Sequence, residues 1–148
     1  MTSNPTPPAS GLPTPYGPPI SLELAKQVMA AAEKEANANQ WPMAIAIVDS
    51  TGHLALFARI DQTQLGSVAV SIAKAETALN FRRPTKVFED LMAAGGAGLR
   101  LSTMPGVAAL EGGVPIVVDG HVIGAIGVSG MLSSQDAQVA AAGLTALV

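Results

Sequence analysis

The chain has 148 residues, of which 49% are hydrophobic and only 13% are charged, and its formal net charge is -3. This length fits a single domain, and without a basic cluster larger than Arg82-Arg83 the sequence disfavours nucleic-acid binding. The absence of cysteine excludes disulfides, thiolate metal ligands and a cysteine nucleophile.

The composition also predicts how the protein assembles and where it is found. Soluble domains are usually about a quarter charged, so the apolar excess indicates a subunit interface and hence a homo-oligomer. No stretch approaches the roughly 18 consecutive apolar residues of a membrane span, so we expect no membrane contact. The N-terminus has neither the basic nor the apolar region of a signal peptide, which favours the cytoplasm.

Proline dominates the N-terminal arm, which we define as residues 1–19. Its seven prolines exclude a helix or a sheet interior and favour an extended polyproline II conformation. We expect this arm to contact a neighbouring subunit through Leu12 and Tyr16. Residues 20–148 then form the one folded domain.

A helix followed by two strands is predicted for the first part of this domain. Ser21 is a good N-cap, and apolar residues at helical spacing extend the helix over 21–38. A fully apolar strand over 43–48 follows. The turn at 49–52 then leads into a second strand over 53–60.

Two further helices are predicted in the middle of the chain. The first covers about 65–80, and its apolar stripe consists of Leu65, Val68, Ile72, Ala75 and Leu79. A second, polar face of the same helix carries Ser67, Ser71 and Lys74. Pro84 ends this helix, and Thr85 caps a shorter one that runs to about Ala93.

A glycine-rich connector and a β-hairpin follow these helices. Residues 95–98 form the connector, and a brief strand is predicted over 99–104. Asp119-Gly120 then separates two apolar runs, 114–118 and 122–128, which is the pattern of a hairpin with a type I′ turn.

The hairpin is predicted to lie in the middle of a sheet, because both of its strands are apolar on both faces. In the expected register Val118 pairs with His121, and Ile116 pairs with Ile123. Gly124 and Gly127 interrupt the second strand, and glycine inside a strand indicates close approach of a helix, a backbone or a ligand.

A closing helix completes an α+β domain. Ser133 and Asp136 have the spacing of a capping box, with Ser133 as the N-cap and an acid three residues later. Strands and helices do not alternate as βαβ units, so we expect an antiparallel β-sheet flanked by helices.

Several ordered motifs over residues 20–148 resemble the GlcG/HbpS-like family, which is the haem-degrading domain family that includes the C-terminal domain of PduO. The matching motifs are Asp49-Ser-Thr-Gly-His-Leu54, Arg59-Ile-Asp61, Ala73-Lys-Ala-Glu-Thr-Ala78, Pro105-Gly-Val107, Gly112-Gly-Val-Pro-Ile116, Gly124-Ala-Ile-Gly-Val-Ser-Gly130 and Gln135-Asp136. The resemblance implies a profilin-like fold and a compact homo-oligomer. It also implies haem binding, as in some members, whereas many others have no settled activity.

The chain departs from the family's commoner pattern at one motif and in its extra proline-rich arm. Arg-Met-Asp-Gly-Ala reads Arg59-Ile-Asp61-Gln-Thr here. This change lies in a region that could shape a pocket, so the ligand can differ from the family's best-known one.

Haem binding requires an axial ligand to iron, for which His53 and His121 are the candidates. Each histidine also has a structural interpretation, since both lie beside turns. Gly112 and Gly113, which lead into the hairpin, are candidates to approach the cofactor. No Cys-x-x-Cys-His attachment motif is present, and we predict no separate metal site.

A cofactor-free enzyme is the alternative interpretation. Arg59 and Lys74 would then bind an anionic small-molecule substrate, and Glu111 or Asp61 would act as general base. The competing structural interpretation is a surface network of ion pairs, Arg59 with Asp61 or Lys74 with Glu76. A third class, a non-catalytic sensor or carrier, fits the same composition.

Overall fold

A computed structural model describes residues 12–147 of the chain, so the first eleven residues of the arm lie outside the described residues. The helices are α1 (Leu22–Ala38), α2 (Gly66–Phe81), α3 (Lys86–Ala94) and α4 (Ser133–Leu144), and the strands are β1 (Ala44–Asp49), β2 (Leu54–Arg59), β3 (Gly113–Val118) and β4 (His121–Ser129). Between residues 12 and 147, none of the helices has the length and apolar character needed to cross a bilayer.

The four strands form one antiparallel sheet in the order β2-β1-β4-β3. Helices α1 and α4 pack on one face of the sheet and α2 packs on the other, with an apolar core on each side. This arrangement confirms the predicted α+β class. The hairpin was expected in the middle of the sheet, but only β4 is central, and β3 is an edge strand in the described chain.

The turn of the hairpin is as predicted, but part of the register is not. Asp119 and Gly120 have φ of 51° and 73°, as a type I′ turn requires, and Val118 pairs with His121. Ile116 pairs with Gly124 rather than with Ile123. The next pair is Val117 with Val122, so β4 holds one extra residue in a β-bulge that shifts the register.

The buried face of α2 is shifted from the apolar stripe that its hydropathy predicts, although Ala75 and Leu79 of that stripe are buried as expected. Leu65, the first residue of the expected apolar stripe, is 80% exposed, whereas Ser71 and Lys74 of the expected polar face are buried. The reason is close packing, since a β-carbon added at Gly127 would lie 2.1 Å from the carbonyl oxygen of Ser71. Small residues therefore face β4 at this contact, while Leu79 packs into the core on the same side of the sheet.

Two further local expectations prove wrong. Residues Gly96–Thr103 form a 3₁₀ helix, so the brief strand predicted over 99–104 is absent from this stretch. Thr85 occupies the expected N-cap position of α3, but its side chain makes no capping hydrogen bond. Its hydroxyl instead accepts the N–H of Gly113 at 2.9 Å, which joins α3 to the start of β3.

The described part of the arm lies against its own chain. The N–H of Val122 donates to Pro15 O at 2.8 Å, and the N–H of Gly17 donates to Val122 O at 2.9 Å. The Tyr16 hydroxyl donates to Leu79 O at 2.8 Å, and the Arg82 guanidinium lies 4.8 Å from the centre of the Tyr16 ring. Tyr16 is therefore an anchor within the chain, and contact with a neighbouring subunit stays a prediction.

Candidate functional site

Both histidines lie at the end of the sheet where β1 finishes. His121 begins β4, and His53 immediately precedes β2 and accepts the N–H of Asp49 through its carbonyl at 2.9 Å. Both side chains are exposed. The described residues contain no group of three or more His, Cys, Asp or Glu side chains that could hold a metal ion.

The protonation of the His121 ring follows from its hydrogen bond. Its Nδ1 lies 2.9 Å from the carbonyl oxygen of Asp119, and because a carbonyl only accepts, Nδ1 must carry the proton. In the neutral ring, Nε2 therefore holds the lone pair that binds a metal ion. Gly17 packs against this side chain, and a β-carbon added there would lie 2.6 Å from that of His121.

A series of side-chain hydrogen bonds holds His53 in the same tautomer. Asp49 Oδ1 accepts the hydroxyl proton of Thr51 as well as the Thr51 N–H, the latter at 2.9 Å. Because the single Thr51 hydroxyl proton is used, His53 Nδ1 donates to Thr51 Oγ1 at 2.9 Å. Its Nε2 is then the unprotonated nitrogen of the neutral ring.

Asp49 should make the stability of this turn depend on pH. Burial acts to raise the pKa of Asp49, but the hydrogen bonds from Thr51 and His53 outweigh it and hold that pKa below its ordinary 3.8. A carboxyl whose folded pKa is lowered stabilises the fold above its ordinary pKa and loses that contribution as pH falls through the folded value.

We therefore expect Asp49→Ala to lower the free energy of unfolding by about 1 kcal/mol at pH 7, the value of a typical hydrogen-bonded group. The difference from wild type should shrink as pH falls below 3.8. Urea unfolding at several pH values measures this difference in the free energy of unfolding. Asp119→Ala is not a suitable control, because the exposed Asp119 adopts a positive φ. A difference that is constant down to strongly acid pH would contradict the assignment.

Lys74 forms a buried ion pair with Asp136. Its Nζ lies 3.0 Å from Asp136 Oδ2 and donates to Val128 O at 2.9 Å, and the two side chains are 2% and 3% exposed. Asp136 also accepts the N–H of Met131 at 3.1 Å. The pair joins α2, β4 and α4, so the expected Lys74–Glu76 surface pair is replaced by an interior contact.

Asp136 has this interior role instead of the capping role predicted for it. Leu132 rather than Ser133 is the N-cap of α4, and Gln135 Oε1 accepts the Leu132 N–H at 3.2 Å. Burial raises the pKa of Asp136 and outweighs the opposing attraction of Lys74. The charge of Lys74 is therefore needed to keep a carboxylate at this position.

The residues that lead into the hairpin pack around the same pair. A β-carbon added at Gly112, whose φ is 132°, would lie 2.9 Å from Lys74 Nζ, and one at Gly113 would lie 2.3 Å from Lys74 O. Both glycines are buried, so their space is filled by the protein itself. Glu111 is nearer the surface, with its carboxylate 4.0 Å from Lys86 Nζ. A ligand-binding role for these glycines stays a prediction.

Arg59 lies apart from the other two residues of the proposed catalytic set. It ends the edge strand β2, opposite Ala44, and its side chain is exposed. Among residues 12–147 it forms no ion pair, so the expected Arg59–Asp61 pair is absent. Lys74 is enclosed, Arg59 is exposed and Glu111 is partly buried, and a shared catalytic role for the three stays a prediction.

Sequence reasoning missed the partners of these residues. Asp136 lies 62 positions from Lys74 along the chain, and no local pattern connects them. The sequence did contain one indication of this burial. The helix face that carries Lys74 otherwise consists of small residues, namely Ser67, Ser71 and Ala78. Such a face allows close packing against glycine-bearing strands and predicts burial of the lysine within it.

Comparisons with known proteins give a consistent family assignment. The model of the family described as haem-degrading protein HbpS-like matches residues 20–145. Protein GlcG of Escherichia coli K12 is 42% identical over 110 residues, which are 74% of this chain and 81% of GlcG.

Two solved structures have the same fold. The crystal structure of HbpS has a TM-score of 0.81 at 28% identity and covers 89% of this chain and 92% of its own. A crystal structure of a PduOC:haem complex has a TM-score of 0.79 at 28% identity and covers 86% of this chain and 94% of its own. These similarities confirm the resemblance indicated by the sequence motifs.

Proposed function

Because the chain belongs to the family of haem-degrading HbpS-like proteins, we propose that it binds haem and that His121 Nε2 is the axial ligand. The observation that carries this assignment is the hydrogen bond from His121 Nδ1 to Asp119 O, which leaves Nε2 unprotonated in the neutral ring. The similar PduOC was crystallised as a haem complex, which supports the choice of ligand. When bound, haem would supply iron-centred redox chemistry.

The residues around His121 fit an axial contact at a surface. The Asp119 carbonyl holds the ring tautomer, and Gly17 of the arm packs against the β-carbon of the histidine, which limits its movement. His121 is exposed, so one chain leaves a bound haem partly open to water. We therefore expect a homo-oligomer in which a second copy covers this end of the sheet and excludes water, with the arm near the subunit boundary.

Titration with haemin, followed by the Soret band, tests the proposal. Wild-type protein should show a saturable shift, and His121→Ala should weaken binding at least about tenfold, which corresponds to 1.4 kcal/mol. Native mass spectrometry of the same samples should show haem bound to an oligomer. Circular dichroism of the variant checks that it is folded.

His53→Ala is the matched comparison, because His53 has the same tautomer and lies at the same end of the sheet. A large loss in His53→Ala alone would overturn the assignment to His121. An unchanged Soret shift in both variants would exclude histidine-ligated haem altogether.

A further inference from the structure

An open groove of about 300 Å³ lies at the opposite end of β1 from the histidines. It is formed where α1 ends, where β1 begins and where β2 ends, and its lining residues are Asn37, Gln40, Trp41, Pro42, Ile60, Asp61 and Gln62. Asn37, Gln40, Asp61 and Gln62 are exposed, and their side chains form no hydrogen bond or ion pair with the residues that the structure describes. The groove therefore offers polar groups that the folded chain does not use.

Two of these polar residues have an unfavourable backbone conformation. Gln40 and Gln62 have φ of 57° and 72°, and they are two of the four non-glycine residues with positive φ in the described chain. Gln40 follows the end of α1, and Gln62 lies in the turn that Thr63 closes by donating its N–H to Ile60 O at 3.1 Å. Glycine adopts this conformation freely, yet at both positions a carboxamide is present beside the same groove.

We propose that this groove binds a small polyhydroxylated ligand of the sugar or polyol class. Three carboxamides each provide two N–H donors and an acceptor, and Asp61 adds a second kind of acceptor. A hydroxyl group both donates and accepts, so a ligand with several hydroxyls can satisfy the whole set.

Other ligand classes fit the groove less well. An organic cation would use only the acceptors and leave the carboxamide N–H groups without partners, whereas an anion would meet the Asp61 carboxylate. Trp41, Pro42 and Ile60 provide an apolar wall against which the C–H groups of a sugar or polyol would pack. The left-handed backbone at Gln40 also closes the end of α1, where the Trp41 N–H donates to Ala36 O at 2.9 Å. At Gln62 it is the conformational cost of placing a carboxamide at this site.

Trp41 is the only tryptophan of the chain, so its fluorescence reports on the groove. Wild-type protein should give a saturable response to glucose, myo-inositol or glycerol, and a smaller one to tetramethylammonium or acetate. In two-dimensional NMR spectra, the same ligands should shift the side-chain amide signals of Asn37, Gln40 and Gln62 over the same concentration range.

Gln62→Gly separates binding from stability. This variant should weaken binding about three- to tenfold, the effect of losing one or two hydrogen bonds, and should raise Tm because glycine relieves the positive φ. Gln27→Ala removes an exposed carboxamide of α1 that lies outside the groove, and this variant should bind like wild type.

Three results would overturn the proposal. The first is the absence of a saturable response to all three hydroxylated probes by both fluorescence and NMR. The second is a stronger response to tetramethylammonium or acetate than to these probes. The third is unchanged binding in Gln62→Gly.

Discussion

Replacing Lys74 with methionine is expected to lower the free energy of unfolding by about 3–5 kcal/mol at pH 7, the usual effect of removing one partner of a buried ion pair. Methionine fills much of the same volume but leaves the Asp136 carboxylate, 3% exposed, without its counter-charge. Val128 O also loses the hydrogen bond from Nζ. Urea unfolding followed by circular dichroism measures the loss.

The pH dependence of this loss tests the cause. Burial already raises the pKa of Asp136 in the presence of Lys74, and removing the lysine raises it further. A carboxyl with a raised folded pKa favours folding below its ordinary pKa and loses that contribution as pH rises through the folded value. The deficit of Lys74→Met should therefore be largest near neutral pH and should shrink as pH falls to 3.8 and below.

Lys86→Met is the matched control, since Lys86 forms an exposed ion pair with Asp90 at 3.1 Å. Exposed pairs contribute little to stability, so this variant should unfold nearly like wild type. The double variant Lys74→Met with Asp136→Leu should regain most of the lost stability, because both buried charges are then gone. Equal effects of Lys74→Met and Lys86→Met would contradict the interior role of the pair.

The local features of the fold could be predicted because they depend on neighbouring residues. Ser21 accepts the N–H of Leu24 at 3.1 Å as the N-cap of α1, and Asp119-Gly120 forms the expected turn. The register beyond the turn could not be predicted, because the bulge at Ile123 depends on how β4 pairs with β3. Spacing alone identifies strands and turns but not an extra residue within a ladder.

The candidate site was predictable to a smaller degree. His53 and His121 lie beside turns as expected, but their tautomers depend on Thr51 and on the carbonyl of Asp119. The buried face of α2 was predicted only in part, because hydropathy counts the apolar character of side chains and not the room available to them. Lys74 is buried since glycines in β4 and before β3 bring the strands close to this helix.

Gly127→Ala tests this close packing and is expected to lower the free energy of unfolding by about 3 kcal/mol, near the upper end of the usual overpacking range. The added β-carbon would lie 2.1 Å from Ser71 O and 2.4 Å from Ala75 N, both of which are backbone atoms of α2. The helix must therefore move away from β4, which also lengthens the contact between Lys74 and Val128. Thermal and urea unfolding at pH 7 measure the effect.

Gly66→Ala is the control, because it makes the same chemical change on α2 rather than on β4. Gly66 is the first residue of α2, and a β-carbon there has nothing within 4 Å. Because alanine favours helix over glycine, this variant should gain up to about 1 kcal/mol. Opposite signs for the two substitutions would show that contact between α2 and β4, rather than loss of glycine itself, sets the effect. A loss below about 1 kcal/mol in Gly127→Ala, the low end of overpacking effects, would contradict the close approach.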